Sequence, residues 1–210
     1  MKAIHRTGLA AGFAVALLAG LSAAQAPAPP IPPAEQQIAA AILPAPDSLR
    51  AEATVLGYDP SGNLTTLRKG QNWLICLADD PVRKDFHVAC YHRDLDPFMA
   101  RGRELRLQKL NRAQIDSARE ADINAGRIHM PVRPTSLYEI FGKEGSYDPA
   151  TNAVKDGSTV YVVYVPYATP ETSGLSTTPI PGGPWLMYPG KPWAHIMVVP
   201  VEPKPAAAPK

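Results

Sequence analysis

The chain is 210 residues long and carries 21 Lys+Arg against 19 Asp+Glu, with two cysteines. So even a balance excludes a sequence-independent nucleic-acid binder, which needs a pronounced basic excess. The length is enough for one domain with a substantial core.

Lys2 and Arg6 give the N-terminus a basic start, an apolar run follows from Gly8 to Leu21, and Ala24-Gln25-Ala26 supplies a small-x-small cleavage pattern. Residues 1–26 therefore read as a cleaved secretory signal peptide. The run falls short of the about 20 residues that span a bilayer, and no other stretch approaches that length, so no transmembrane segment is expected after cleavage. Loss of Lys2 and Arg6 leaves 19 basic and 19 acidic side chains. The expected location is periplasmic or secreted, where two cysteines favour a disulfide over a metal site.

Residues 27–46 read as a proline-rich linker with a short helix. Pro27 to Pro33 is a stiff spacer, and Ala34 to Leu43 is helical, started by Pro33 and ended by Pro44. A single α+β domain is expected over 47–200, with a disordered proline- and alanine-rich tail over 201–210.

The domain opens with strands at Glu52–Tyr58, Leu64–Arg68, Trp73–Leu77 and Phe86–His92, expected as a four-stranded antiparallel meander. Asp59-Pro60-Ser61-Gly62-Asn63 is a turn: Asp starts it, Pro presets φ and Gly accepts a positive φ. If Cys76 faces Cys90 across the next hairpin, Ile75 lies opposite Tyr91 and Leu74 opposite His92.

Tyr58-Asp59-Pro60-Ser61-Gly62-Asn63-Leu64-Thr65 resembles one unit of the tyrosine–aspartate repeats of large bacterial surface toxins, with a partial echo at Tyr147-Asp148-Pro149-Ala150-Thr151-Asn152. Membership would imply a shell of many tandem units at a short period. Two units far apart instead indicate a turn used twice.

Two helices follow. Asp96-Pro97 is an N-cap and N1 pair for Pro97–Leu110, and Asn111 with Gln114 forms a capping-box pair for Arg112–Ala125. The basic run Arg101, Arg103, Arg106, Lys109 and Arg112 reads as a solvated helix face. Leu137–Phe141 is a strand or a single helical turn. Thr159–Tyr167 is β-branched and aromatic, a central strand expected to be buried on both faces. Ala194–Val199 is its expected neighbour. The resulting fold class is α+β: an antiparallel sheet, made of the N-terminal meander and two C-terminal buried strands, with two mid-chain helices and a long Pro/Gly/Trp-rich loop.

That loop, residues 168–193, is too long for a passive connection. Trp185, Tyr188 and Trp193, with Tyr167 at its start, are the expected ligand-binding residues, because rigid aromatic faces beside Ser173, Ser176, Thr177 and Thr178 suit sugar rings or proline-containing peptides. The preferred function is a non-catalytic envelope or extracellular binding module for a cell-envelope polysaccharide or peptide. The alternative is a hydrolase with His195 as general base beside the 169–193 loop, drawing on Asp79 or Asp80 and on Ser176. Metal-ligand types occur at His87, His92 and Met197, but their spacing fits no zinc pattern and a disulfide removes Cys90. No phosphate-binding or dinucleotide fingerprint is present, so no cofactor is expected.

The mature protein is expected to begin at Pro27. N-terminal sequencing of exported protein checks this, and a retained Met1 would contradict it.

Overall fold

The structure, a computed structural model, describes residues 30–201. The expected signal peptide, the start of the expected linker and the tail from residue 202 lie outside these. No helix among the described residues is long and apolar enough to cross a membrane. The protein is a mixed α+β fold built on one mostly antiparallel sheet.

The chain begins with α1 (Ala34–Ala41) and a single helical turn, α2 (Asp47–Arg50). Residues up to 46, expected as a linker with a short helix, instead pack on the sheet through Ala41 and Ala45. Ala40, Ala41 and Ala45 are buried, and the buried Gln37 side chain accepts from the Tyr58 N–H at 2.8 Å and donates to the Tyr58 carbonyl at 2.9 Å.

β1 (Thr54–Tyr58) and β2 (Leu64–Arg68) form the expected hairpin. Asp59 Oδ1 accepts from the Ser61 and Asn63 N–H groups, each at 2.9 Å, and Gly62 takes a φ of +82°. The expected meander ends there. β3 (Leu74–Leu77) pairs with β1, on the side away from β2, and runs parallel to it. Three consecutive hairpins would have laid Leu74 and Cys76 beside β2, a largely exposed edge strand. Pairing with β1 sets them beside Val55, and all three side chains are then 0–1% exposed. The crossing passes close over β1: a Cβ on Gly70 would collide with the backbone of Glu52, Ala53 and Thr54.

β4 (Phe86–His92) pairs with β3 in the expected register, Ile75 opposite Tyr91 and Leu74 opposite His92, and Cys76 is bonded to Cys90 with Cα atoms 4.0 Å apart. A short 3-10 turn over Arg93–Leu95 leads into α3 (Asp96–Leu107). Asp96, expected as its cap, instead accepts from the Tyr91 hydroxyl at 2.7 Å and from Arg103 at 3.1 Å. α4 (Arg112–Asn124) starts with the predicted Asn111–Gln114 capping box.

β5 (Thr135–Gly142) is a full strand between β4 and β8 (Ser158–Tyr164). A small side ribbon of β6 (Tyr147–Asp148) and β7 (Ala153–Val154) lies between them in sequence. The long loop carries its own structure: one helical turn, α5 (Pro170–Ser173), and an edge strand, β9 (Pro184–Met187). β10 (His195–Val198) lies between β9 and β8, confirming the expected pairing of the last two long strands. The eight-stranded order is β2-β1-β3-β4-β5-β8-β10-β9.

The two faces are covered unequally. On one, α3 and the turn before it pack over Tyr91, Leu137, Val162 and Tyr164 through Leu95 and Phe98, and α4 adds Ile123 against the same cluster. On the other, α1 and the segment after it pack over Val55, Leu74 and the disulfide, and Cys90 Sγ lies 3.2 Å from the Ala41 carbonyl oxygen. This second cover stops short of β8, so Tyr161 is 42% exposed. The strand expected to be buried on both faces is fully covered on one only.

The disulfide closes a sequence separation of 14 residues, worth about 3 kcal/mol in the chain-entropy account. Denaturant unfolding of the Cys76→Ala/Cys90→Ala double variant is expected to show a loss of about that size. Unchanged stability would contradict the assigned role of the bond under α1.

Candidate functional site

Of the aromatic residues expected to bind ligand, Tyr188 and Trp193 meet at the end of the sheet where β8 ends and β10 begins, Tyr167 lies on the segment that follows β8, and Trp185 lies on β9. The two connecting segments are laced together: the Tyr167 N–H donates to the Lys191 carbonyl at 2.9 Å, the Gly190 N–H to the Ala168 carbonyl at 2.8 Å and the Val165 N–H to the Ala194 carbonyl at 2.9 Å. Within this lacing Tyr167 and Tyr188 hold φ values of +62° and +53°. Bulky residues rarely adopt that left-handed region, and each instance costs on the order of 1–3 kcal/mol.

The four aromatics divide by exposure. Tyr167 is 54% exposed and lines an open groove of about 390 Å³ with Val132, Arg133, Pro134, Pro166 and Thr172. Trp185 and Tyr188 are half-buried, Trp185 on the edge strand opposite Met197. Trp193 is sealed at 4% exposure. Its ring stacks on Phe98 at 6.0 Å and meets Tyr188 edge-on at 6.3 Å, so it anchors the loop instead of facing a ligand.

His195 lies under this layer at 7% exposure, between Tyr164 at 5.0 Å and Tyr188 at 5.7 Å. Its Nδ1–H donates to the Trp193 carbonyl at 2.8 Å. Burial lowers its pKa; the bond to Trp193 and the charge of Glu139 act against that shift, and Arg112 adds to it. The remaining components of a hydrolytic site do not join it. Asp79 accepts from the His87 backbone N–H at 2.9 Å on a different strand pair, and Ser176 is turned to its own loop, accepting from the Thr178 N–H at 2.9 Å.

The metal-ligand types are dispersed as well. His87 and His92 lie five residues apart on β4 and point to opposite faces. His87 Nε2 meets Glu139 Oε1 at 2.9 Å while its ring stacks on Phe141 at 4.4 Å. Met197 is on β10, and Cys90 is consumed by the disulfide. Among the described residues no three His, Cys, Asp or Glu side chains are grouped as a metal site.

Two features escaped the sequence reading. A second groove, of about 490 Å³, opens on the thinly covered face, floored by Tyr138 and Tyr161 and walled by Pro44, Pro46 and Arg50. The other is Arg119, only 6% exposed, with its guanidinium carbon 4.0 Å from the Phe98 ring centre. Desolvation pulls its pKa down to about 10. Gly102 makes room for it, since a Cβ there would collide with the guanidinium. A glycine within a predicted helix was the one sequence signal pointing to this contact.

No family model, curated protein or solved structure matches the chain.

Proposed function

We propose that the protein is an exported, non-catalytic binding domain that takes a cell-envelope polysaccharide or peptide at the aromatic end of its sheet. One observation carries the reading. Tyr167 presents an exposed ring at the rim of a groove from a backbone conformation that its neighbours must hold against strain. Strain of this kind persists where the surroundings over-determine it, and such places are enriched in binding and catalytic sites. A ring carried on a held backbone gives up less entropy when a ligand stacks on it. Pro134 and Pro166 stiffen the groove walls, and Thr172 and Arg133 provide polar contacts. This pairing of flat apolar faces with a few hydrogen-bonding groups suits a sugar ring or an extended peptide. The disulfide is consistent with an oxidising compartment.

Retention on purified peptidoglycan sacculi and on insoluble envelope polysaccharide tests the proposal. Tyr167→Asn removes the ring but keeps a residue type that tolerates positive φ, and it is expected to weaken retention at least tenfold at nearly unchanged thermal stability. Trp185→Ala is expected to weaken retention less. Trp193→Ala is expected to destabilise the fold by about 3–5 kcal/mol through the cavity it leaves. Wild-type retention by both Tyr167→Asn and Trp185→Ala, or no retention by the wild type, would overturn the reading.

A further inference from the structure

β8 is an interior strand, between β5 and β10, yet only one of its faces is sealed. Val160, Val162 and Tyr164 are buried on the helix-covered side, while Tyr161 stands out on the other. Cross-strand partners share a face, so Tyr138 of β5 and Val198 of β10 flank Tyr161, and Ile196 flanks Val163. None of these five apolar side chains is buried. An exposed apolar strip of this kind marks an interaction surface.

The groove on the Tyr138 side of the strip has a fixed wall. Arg50 donates through Nε to the Ala45 carbonyl at 2.9 Å and through Nη2 to the Leu43 carbonyl at 2.7 Å, and its Nη1 meets Asp47 at 2.8 Å. This clamp holds Pro44 and Pro46 beside the Tyr138 and Tyr161 rings, which meet edge-on at 6.2 Å.

Size decides what fits. Three strands wide and about five residues long, the strip measures roughly 15 Å by 17 Å, or about 250 Å². A second copy of the chain needs about 800 Å² on each partner, so the strip suits a single extended segment. Aromatic-lined grooves take proline-rich segments in the polyproline-II form, and the chain supplies one next to the groove. β10 runs antiparallel to β8 with Val198 opposite Tyr161, and Val201 follows three residues later. Residues 202–210 are Glu202-Pro203-Lys204-Pro205-Ala206-Ala207-Ala208-Pro209-Lys210. Nine residues of polyproline II span about 28 Å, and the crossing from β10 over β8 to β5 takes about 10 Å. The charges match as well: Lys204 and Lys210 can meet Asp47, whose side chain on the groove wall is 89% exposed. The other proline-rich stretch, Pro27–Pro33, enters at the opposite end of α1.

We propose that the tail, residues 202–210, folds back across β8 and docks in the Tyr138–Tyr161 groove, with Pro203 and Pro205 against the two tyrosine rings and a tail lysine on Asp47. Polyproline II has no internal hydrogen bonds to give up and is already extended, which lowers the entropy lost on docking. The contact does not involve Tyr167.

The test is NMR backbone relaxation on the exported chain, residues 27–210, with nuclear Overhauser contacts to the Tyr161 ring. The amides of Lys204, Ala206, Ala207 and Ala208 are expected to show order parameters near the rigid-backbone value of about 0.85, and the Tyr161 ring to contact the Pro203 or Pro205 ring. Tyr161→Ser is expected to drop the tail order parameters below about 0.6. The double variant Pro203→Ser/Pro205→Ser, which leaves the folded domain untouched, is expected to do the same. Tyr167→Asn is expected to leave the tail docked, which separates this surface from the aromatic groove. The proposal is overturned by wild-type tail order parameters below about 0.6, or by a tail that stays ordered in both the tyrosine and the proline variants. Contacts of Tyr161 with residues 27–33, or contacts that form only between differently labelled copies, would also overturn it. Should Tyr161→Ser fail to fold, the proline variant decides.

Discussion

The stacked contact of Phe98 with Trp193, with Arg119 also packed on Phe98, is the interaction on which the rest of this structure depends. α4 in particular has little hydrophobic burial to hold it. α4 buries only Ile115, Arg119 and Asp122, too narrow an apolar stripe to fix a helix by hydrophobic burial alone. What fixes it is a set of directional contacts: a cation on an aromatic face, Asp122 shared by two arginines, and Lys191 reaching across to Glu120. Trp193 joins the same stack from the loop side. One aromatic layer therefore ties α3, α4, the long loop and the last strand together. Such pairs contribute about 0.5–1.5 kcal/mol beyond their area, a real share of a domain stability of about 5–15 kcal/mol.

The anchoring of Trp193 also explains how Tyr167 and Tyr188 tolerate left-handed backbone. The segments that carry them are joined by three backbone hydrogen bonds, and Trp193, two residues after Lys191, pins that lacing to the core. Strain is held where burial supports it and displayed where solvent reaches it. The opposite face follows a different plan. There a covalent bond under α1 replaces aromatic bulk, and small residues, Ala41, Ala45 and Ala53, bring the helix close to the sheet. The cover ends before β8, which leaves the Tyr138–Tyr161 groove open.

Local chemistry made part of this legible in the sequence. The register of Cys76 against Cys90 followed from two apolar arms around a charged loop, and the Asn111–Gln114 cap from residue types at fixed spacing. The pairing of β8 with β10 followed from their composition. Long-range choices were not legible. Nothing near β3 records that it pairs with β1 instead of β2, because that choice is made by the burial of Leu74 and Cys76 in the finished core. The strand β9 is only four residues long and sits amid prolines and glycines, so no period announces it. Trp185 and Trp193 share the same Pro-Trp context, yet one lies on an edge strand and the other in the core. Arg119 read as part of a polar helix because a buried arginine and a solvated one look alike in sequence; Gly102, its partner across the helix pair, was the sole hint.

The central claim is that Phe98 and Trp193 act as one unit coupling the helix pair to the end of the sheet where β8 ends and β10 begins. A double-mutant cycle with Phe98→Leu and Trp193→Phe, read by denaturant unfolding, addresses it most directly, since residues in contact share an interaction energy and independent ones do not. The account predicts a coupling of at least about 1 kcal/mol. Additivity within about 0.3 kcal/mol would contradict it.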